Sequence, residues 1–357
     1  MTFYLETGLE IHPKTVYKYS IWVSDQLVDD VRNVVAIGSQ RFMDRFRLCI
    51  RARHLAYKTE KTYCYWVLFF IRFHKRKNPV DMGAREIEQF LEYLSTQRNV
   101  AANTQKTALN ALVFMYHKFL KIEIGQLQYS YAKKPRQIPT VFSHEEASSV
   151  IGALRGTHHL IASLMYGSGL RVSEVTRLRV QDLEMGLRFI MVREAKGAKM
   201  RRTLMPNTLR DRLEHQLGVV AALHKGDLLE GYGSVYLPDA LARKYPSADT
   251  ELGWQYLFPA TRYSRDPRSG IERRHHVGEQ QIQRAVRKAI RKQGILKKSG
   301  CHTFRHSFAT RLLEQGVDLR NIQEVLGHTD ISTTQIYTHL SDQYIESEYS
   351  KFSPRVN

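Results

Sequence analysis

Six polar side chains between residues 171 and 337 have the chemical types that transfer of a phosphodiester requires. A pair of guanidinium groups can neutralise the non-bridging oxygens, a phenol can act as the nucleophile, and an ammonium or imidazole group can protonate the leaving oxygen. A His and an Arg three positions apart on a helix point in the same direction, so His302 and Arg305 are expected to face one site. The six are Arg171, Lys196, His302, Arg305, His328 and Tyr337.

Taken singly, each of these residues has an ordinary structural explanation. An Arg three positions before a Glu, as in Arg171 and Glu174, is usually a pair on a helix surface, and a single Tyr near a C-terminus usually packs in a core. Their order and spacing together carry more information. The five segments, in chain order, are Gly169-Leu170-Arg171-Val172-Ser173-Glu174, Lys196-Gly197-Ala198-Lys199-Met200-Arg201, His302-Thr303-Phe304-Arg305-His306, Leu326-Gly327-His328-Thr329 and Ile336-Tyr337-Thr338-His339.

This series of motifs resembles the tyrosine recombinase (phage integrase) superfamily, and the resemblance covers roughly residues 41–340. It implies that Tyr337 attacks a DNA phosphate and forms a 3′-phosphotyrosyl intermediate. Arg171 and Arg305 would neutralise the phosphate, and Glu174 would orient these cations. We expect the neighbouring cations to lower the pKa of the phenol from its usual value of about 10.

The resemblance also assigns the groups that handle protons. His302 and His328 would supply hydrogen bonds and proton transfer around the phosphate. The general acid for the leaving 5′-oxygen would be Lys196, the first lysine of the Lys-Gly motif on a hairpin turn, with Lys199 as the alternative. Because the phosphotyrosine conserves the bond energy, the scheme requires no metal ion and no nucleotide or other cofactor.

Residues 220–275 carry a closer resemblance. They are rich in Gly, Pro, Tyr and charged residues and interrupt the helical pattern, as an insertion would. Three of their segments resemble the additional segment of integron integrases, which implies insertion and excision of gene cassettes at attachment sites folded from a single DNA strand. The segments are Leu237-Pro238-Asp239-Ala240-Leu241-Ala242-Arg243-Lys244-Tyr245-Pro246, Trp254-Gln255-Tyr256-Leu257-Phe258-Pro259 and Arg273-Arg274-His275-His276.

Bases that protrude from a folded strand are bound by stacking and by contacts to their edges. Rings and cations in residues 220–275 suit the bases and the phosphates of such a strand. For Trp254 an alternative stays open: it could be a core aromatic residue of the insertion rather than a contact to DNA. The expected base contacts are Pro238, Trp254, Tyr256 and His275, and the expected phosphate contacts are Lys244, Arg273 and Arg274.

The whole chain has an excess of positive charge that points to a polyanion as its partner. Its formal net charge is +19 and its sequence pI is about 9.8. Release of counterions from neutralised phosphates drives such proteins onto nucleic acid, and a membrane surface is the second possibility. Further expected DNA contacts are Lys133, Lys134 and Arg136 in a linker, Lys199 and Arg201 in the hairpin, and Arg284, Arg287 and Arg291 on a helix at 280–293.

Helical periodicity dominates the chain, so the predicted class is mainly α with a small β-hairpin (α+β), in two domains that form a C-shaped clamp. The hairpin strands are expected at 189–192 and 202–205. The predicted divisions are an N-terminal extension at 1–40, a helical SAM-like core-binding domain at 41–130, a basic linker at 131–142, a catalytic domain at 143–340 with the insertion at 220–275, and a tail at 341–357 that protomers exchange.

Several classes of protein do not fit the sequence. Cys49, Cys64 and Cys301 are too few for a disulfide framework and show no paired metal-ligand spacing. No apolar run is long enough to span a bilayer, and the N-terminus lacks the basic and apolar regions of a secretory signal, so a cytoplasmic location is expected. The resemblance implies self-association to a tetramer on DNA.

Three alternatives stay open. A generic recombinase of the phage-integrase or chromosome-dimer-resolving type would act on duplex sites alone. A type IB topoisomerase would share the chemistry but would need no partner site. A DNA-binding relative without catalysis would have kept the fold only, and the presence of all six catalytic positions argues against it.

Overall fold

The computed structural model describes residues 36–37, 40–127, 139–193, 200–328 and 330–338, and the chain divides into two compact units, residues 1–136 and 137–357. Most of the N-terminal extension and the whole C-terminal tail lie outside the described residues. So do the basic residues expected in the linker and in the hairpin turn, which are Lys133, Lys134, Arg136, Lys196 and Lys199.

Four helices with one apolar face each build the N-terminal unit, as their periodicity predicts. Before them, Ala36–Ile37 (β1) pairs antiparallel with Gln40–Arg41 (β2). Phe46, Phe70 and Phe90 are fully buried among the helices. The helices are α1 (Phe42–Ala52), α2 (Tyr57–Phe73), α3 (Ala84–Thr96) and α4 (Ala102–Val113), and α4 continues as a π-helix over Phe114–Leu120.

Helix α4 begins without a side-chain cap. Asn103 is a good N-cap by residue type, but α4 begins at Ala102 with Ala101 in the cap position and no side-chain hydrogen bond there. Asn103 therefore lies in the first turn, where its backbone carbonyl accepts a hydrogen bond from the Thr107 hydroxyl at 2.8 Å. Burial of Ala108 and Leu112 on the inner face anchors this helix without a side-chain cap.

The first helix of the C-terminal unit is capped at Ser143. The Ser143 hydroxyl accepts a hydrogen bond from the backbone N–H of Glu146 at 3.2 Å, and the Glu146 carboxylate accepts one from the backbone N–H of Ser143 at 2.8 Å. This reciprocal pair satisfies two N–H groups that the first turn leaves without a helical partner. The helices that follow are α5 (His144–Gly152), α6 (Gly156–Gly167) and α7 (Val172–Thr176).

A small antiparallel sheet comes next, and it contains the predicted hairpin. Its strands are β3 (Leu183–Glu184), β4 (Phe189–Val192) and β5 (Arg201–Leu204), in the order β3-β4-β5. Phe189 pairs with Leu204 and Val192 pairs with Arg201. Since side chains alternate between the two faces of a strand, this register turns Arg201 and Thr203 into the unit, where both are buried.

The remaining elements complete the unit. They are α8 (Arg210–Leu229), α9 (Asp239–Lys244), the antiparallel strands β6 (Pro259–Arg265) and β7 (Glu272–His276), α10 (Glu279–Lys292), α11 (Cys301–Glu314), α12 (Leu319–Leu326) and α13 (Ser332–Gln335). The predicted class, mainly α with small antiparallel sheets, is confirmed.

Residues 220–275 are attached to the core more closely than the sequence prediction has them. Helix α8 runs through residue 220 without a break, and Val220 is buried. At the other end, Leu257 and Phe258 are fully buried and belong to the main hydrophobic cluster of the unit. Residues 220–275 are therefore not all at the surface, because Val220, Leu257 and Phe258 are buried.

Replacement of Ser143 by Ala removes one half of the reciprocal cap of α5. We expect the free energy of unfolding to fall by about 1 kcal/mol, the usual effect of losing such a cap, and urea denaturation followed by circular dichroism measures it. Ser149→Ala on the same helix is the matched control, because that hydroxyl only donates to the Glu146 carbonyl within the helix. An equal loss in both variants would argue against a capping role.

Candidate active site

Arg171 is the residue that caps α7, and a glycine turn brings it there. Gly169 has a φ of +63°, and a Cβ at that position would lie 2.5 Å from a ring carbon of Phe308. Only glycine meets both conditions, since a side chain would suffer left-handed backbone strain and a clash. The turn delivers Arg171 to the helix start, where its backbone N–H donates to the Glu174 carboxylate at 2.8 Å.

The Glu174 carboxylate is the meeting point of three guanidinium groups. Arg171 donates from Nη1 to Oε1 at 2.6 Å. Arg201 donates from both terminal nitrogens, at 3.0 Å and 2.8 Å, in the bidentate geometry that suits these planar groups. Arg305 approaches Oε2 at 3.5 Å. Helix α7, strand β5 and helix α11 are therefore joined at one buried anion.

Burial and charge oppose one another at this anion, and charge dominates. Burial by itself raises the pKa of the Glu174 carboxyl, but the hydrogen bonds and charge of Arg201, with Arg305 and the Arg171 backbone, lower that pKa to about 2. For Arg305, burial and the like charge of Arg171 lower the guanidinium pKa to about 10. Both groups are thus ionised at neutral pH, and the site keeps a net positive charge that suits an anionic ligand.

Two backbone carbonyls fix the direction of the Arg305 side chain. Its Nη1 donates to the Gly169 carbonyl at 2.6 Å, and its Nη2 donates to the Leu326 carbonyl at 2.5 Å. The side chain is only 4% exposed. Because the partners come from the turn before α7 and from the end of α12, Arg305 ties both motif segments to α11.

Arg201, which the sequence suggested as a DNA contact, points into the unit and contacts Glu174. Its side chain is buried; besides Glu174, it donates from Nε to the Val325 carbonyl at 3.0 Å. It also explains Gly327, whose φ is +66° and where a Cβ would lie 2.7 Å from Cδ of Arg201. A pattern of basic residues in a hairpin cannot reveal that one of them faces inward.

Tyr337 lies inside a small apolar cluster and is 1% exposed. Phe308, Ile322 and Leu326 are buried in the same cluster. Burial raises the pKa of the phenol, and the opposing charges of two arginines do not offset it. The expectation that cations lower this pKa below its usual value is therefore wrong, although the predicted cations, Arg305 and Arg171, do act in that direction.

His306 is the functional neighbour that the sequence reasoning did not select. Its Nδ1 lies 3.0 Å from the Tyr337 hydroxyl, at hydrogen-bonding distance. Burial, followed by the charges of His302 and Arg305, lowers the pKa of His306 to about 4, so its imidazole is neutral at pH 7. His306 directly follows Arg305 in the same motif, which could have suggested a place in the site. Its contact with Tyr337 could not be predicted, because the two residues are 31 positions apart in the sequence.

The two predicted histidines stand at different places around the site. The His328 ring lies nearly parallel to the Tyr337 ring with centroids 6.3 Å apart, and its Nδ1 is 2.9 Å from the Thr334 hydroxyl. Burial and nearby arginines lower the pKa of His328 to about 4. His302 is exposed in the first turn of α11. Its pKa is lowered, mainly because neighbouring protein atoms desolvate the ring and also because of the positive charges of Arg171 and Arg305.

The predicted contacts within residues 220–275 divide into two groups. Arg274 is half-buried in a bidentate ion pair with Asp227, at 2.6 Å and 2.7 Å, and its guanidinium lies over the Tyr263 ring at 4.3 Å. This pair gives Arg274 a structural role, joining β7 to α8. Exposed or partly exposed at the surface are Pro238, Lys244, Trp254, Arg273 and His275.

Trp254 has cations on its ring and sits at the edge of the core. The guanidinium carbons of Arg179 and Arg193 lie 5.6 Å and 5.3 Å from its ring centroid. Arg179 also donates to the Trp254 backbone carbonyl and to that of Tyr236, the latter at 2.7 Å. The ring is partly exposed, so packing against arginines and contact with a ligand are both compatible with its position.

Helix α10 presents the predicted cations on its solvent side. Its inner face buries Ile282, Val286, Ala289 and Ile290, as an amphipathic helix does. The exposed basic side chains are Arg284, Arg287, Lys288, Arg291 and Lys292. Within the described residues, no group of three or more His, Cys, Asp or Glu side chains could hold a metal ion, and no helix is long and apolar enough to cross a membrane.

Comparison with known proteins agrees with this geometry. Residues 140–344 match the phage integrase family, and residues 42–126 match the N-terminal SAM-like domain of phage integrases. The chain belongs to the phage integrase family of tyrosine recombinases. The first match contains every predicted catalytic position, from Arg171 to Tyr337.

Relatives and solved structures extend the comparison. An integrase/recombinase from Escherichia coli is 44% identical over 305 residues, 85% of this chain and 90% of that protein. The tyrosine recombinase XerA from Thermococcus kodakarensis is 30% identical over 76% of this chain and 82% of its own. The fold is that of the XerH recombinase bound to palindromic difH substrate, with a TM-score of 0.56 at 18% identity, covering 99% of this chain and 100% of that one. The predicted superfamily is confirmed.

Glu174→Gln keeps the shape of the side chain and removes the charge that three arginines share. Because the folded state depresses the carboxyl pKa from 4.5 to about 2, its contribution to stability is present above about pH 4.5 and is lost as pH falls towards 2. We expect the variant to be less stable by about 3 kcal/mol at pH 6, with a smaller difference at lower pH. Urea unfolding between about pH 6 and pH 3 measures this difference. Exposed Glu324→Gln on α12 is the control, and a Glu174 effect that is equal at every pH would contradict the assignment.

Proposed function

We propose that this chain is a site-specific recombinase that cleaves and rejoins DNA through a covalent 3′-phosphotyrosyl bond to Tyr337. The observation that supports it most is that Arg171 and Arg305 converge on the Glu174 carboxylate and that both also lie close enough to Tyr337 to act on its phenol. Buried cations that a single anion only partly neutralises are suited to receive a phosphate.

In this proposal the reaction is a displacement at one phosphodiester. The phenolic oxygen of Tyr337 forms a bond to phosphorus while the bond to the 5′-oxygen of the next nucleotide breaks. Arg171, which is one-third exposed, and Arg305, which two carbonyls hold in place, neutralise the non-bridging oxygens. His302 and His328 donate hydrogen bonds to the phosphate, and the reverse reaction reseals the strand.

The leaving 5′-oxygen needs a proton, and we assign that task to Lys196. In the sequence it lies between β4 and β5, and Arg201, which follows it at the start of β5, contacts Glu174 in the site. A lysine on a hairpin connection can approach the scissile phosphate when DNA is bound. Lys199 in the same connection is the alternative general acid.

The substrate that we propose is an attachment site of a gene cassette, folded from a single strand. Support comes from exposed and partly exposed groups in the segment between α8 and α10, where Trp254, His275 and Pro238 can stack on protruding bases and Lys244 and Arg273 can bind phosphates. Arg274 in the same segment is held in an ion pair with Asp227. Exchange between two sites requires four tyrosines, so a tetramer on DNA, with exchange of the tail at 341–357, is part of this proposal.

A second candidate is a recombinase that acts on duplex sites alone. It is supported by the 30% identity to XerA and by the fold shared with XerH bound to palindromic difH substrate. The two candidates share every catalytic residue and differ in the role of the exposed surface between α8 and α10. Binding to a bulged hairpin against a matched duplex separates them.

Tyr337→Phe removes the nucleophilic oxygen and keeps the ring that fills the apolar cluster. On an attachment-site hairpin nicked next to the cleavage position, we expect the unchanged chain to form a covalent protein–DNA band on a denaturing gel and the variant to form none, with binding affinity within about threefold in gel shifts. Tyr166→Phe is the matched control, because its hydroxyl also contacts a histidine outside the site. An adduct from Tyr337→Phe, or none from the unchanged chain, would refute the proposal.

Trp254→Ala and His275→Ala test the folded substrate without deleting residues that belong to the core. Loss of one stacking contact weakens binding by about 1–3 kcal/mol, so we expect at least about fivefold weaker binding to a hairpin with protruding bases and unchanged binding to the fully paired duplex. Exposed Tyr245→Ala provides a control for the removal of an aromatic ring nearby. Equal affinity of all variants for both DNAs would favour the duplex-specific candidate.

A further inference from the structure

The attack by Tyr337 requires that its hydroxyl proton move to an acceptor, and the site offers few acceptors. Guanidinium groups have no acceptor atom, so Arg171 and Arg305 can stabilise a phenolate but cannot take its proton. Among the hydrogen bonds of the described residues, the side-chain partner of the Tyr337 hydroxyl is His306, through Nδ1 at 3.0 Å. A neutral imidazole that carries its proton on Nε2 has a lone pair on Nδ1 and can accept that hydrogen bond.

The other two histidines have different geometry. The His328 ring lies nearly parallel to the Tyr337 ring, with the two centroids 6.3 Å apart. Its Nδ1 is 2.9 Å from the hydroxyl of Thr334, not from that of Tyr337. His302 is exposed at the first turn of α11, one helical turn before His306. Proton transfer requires a donor and an acceptor within hydrogen-bond reach, and His306 meets this condition in the DNA-free protein.

We propose that Nδ1 of His306 accepts the proton of the Tyr337 hydroxyl as the oxygen attacks the DNA phosphate. This assignment rests on the proposed function and adds a catalytic group to it. In the cleavage step the O–H electron pair of Tyr337 forms the new O–P bond, and the proton moves to Nδ1, which leaves an imidazolium. The P–O5′ bond breaks at the same time, and the 5′-oxygen takes a proton from the general acid. In the rejoining step every transfer is reversed.

The surroundings of His306 explain why it is not charged before DNA binds. The groups that face it are His302 and Arg305 on its own helix, and His328 and Tyr337 from the segment after α12. Burial and the positive charge of this set keep the imidazole neutral. A bound phosphodiester would bring one negative charge to the arginines and so favour the imidazolium that proton transfer creates.

The decisive experiment combines two substitutions with two leaving groups. His306→Asn retains a hydrogen-bonding oxygen or nitrogen near the position of Nδ1 but cannot take up a proton, and His306→Phe removes the hydrogen bond as well. Both are assayed for adduct formation on an attachment-site hairpin from a gene cassette, with oxygen or sulfur as the 5′-bridging atom. A thiolate leaves without protonation, so a sulfur substrate makes a general acid unnecessary.

We expect both variants to form adduct about 10²–10⁴-fold more slowly than the unchanged chain, the usual contribution of general acid–base catalysis. The sulfur substrate should restore Lys196→Ala and leave both His306 variants slow. With His306→Asn the rate should rise about tenfold per pH unit towards the pKa of the phenol, whereas the unchanged chain should level off at lower pH. A group that only positions the ring would not produce this difference in the pH profile.

His144→Asn is the matched control, because His144 makes the same kind of contact through Nδ1 with the hydroxyl of Tyr166, at 3.1 Å, outside the site. It should react at the rate of the unchanged chain, and gel shifts confirm that each variant binds the hairpin. Restoration of the His306 variants by the sulfur substrate would place His306 at the leaving group and overturn the assignment, as would rates within about twofold of the unchanged chain. Absence of adduct from the unchanged chain would overturn the proposed function itself.

Discussion

The charge balance around Glu174 is the constraint on which the rest of the site depends. Three guanidinium groups from α7, β5 and α11 lie close enough to one another to repel, and the buried carboxylate is the anion that offsets them. A buried ion pair is costly unless its hydrogen bonds are satisfied, and here both carboxylate oxygens accept from arginines. Removal of this one charge would leave the positive charges of the three arginines without the anion that offsets them.

Several features of the chain follow from holding those arginines together. Arg201 must face inward, which fixes the register of β5 against β4 and requires a glycine at 327 to make room for the arginine. Arg305 must reach the carbonyls of Gly169 and Leu326, so the turn before α7 and the end of α12 are drawn to the same helix. That second turn is followed by His328 and, after α13, by Tyr337. The position of the nucleophile is thus linked to the arginines through backbone contacts.

The sequence allowed the motif residues and most helices to be predicted, because periodicity and spacing are local properties. It did not reveal whether a given basic side chain points into the fold or towards solvent. Arg201 and Arg274 lie among exposed basic residues in the sequence, yet each meets a single carboxylate, Glu174 or Asp227, supplied by a distant segment. The sequence pattern also did not reveal that Leu257 and Phe258, inside the predicted insertion at 220–275, pack into the core of the folded unit.

The direction of the Tyr337 pKa bears on how the nucleophile is activated. Burial raises this pKa in the DNA-free protein even with Arg305 and Arg171 nearby. A phosphate bound between the arginines would offset the positive charge that favours the phenolate, and would therefore raise the phenol pKa further. The same negative charge favours protonation of the neighbouring His306. In the proposed reaction, substrate binding would therefore disfavour a phenolate formed in advance and favour transfer of the Tyr337 proton to His306 during the attack.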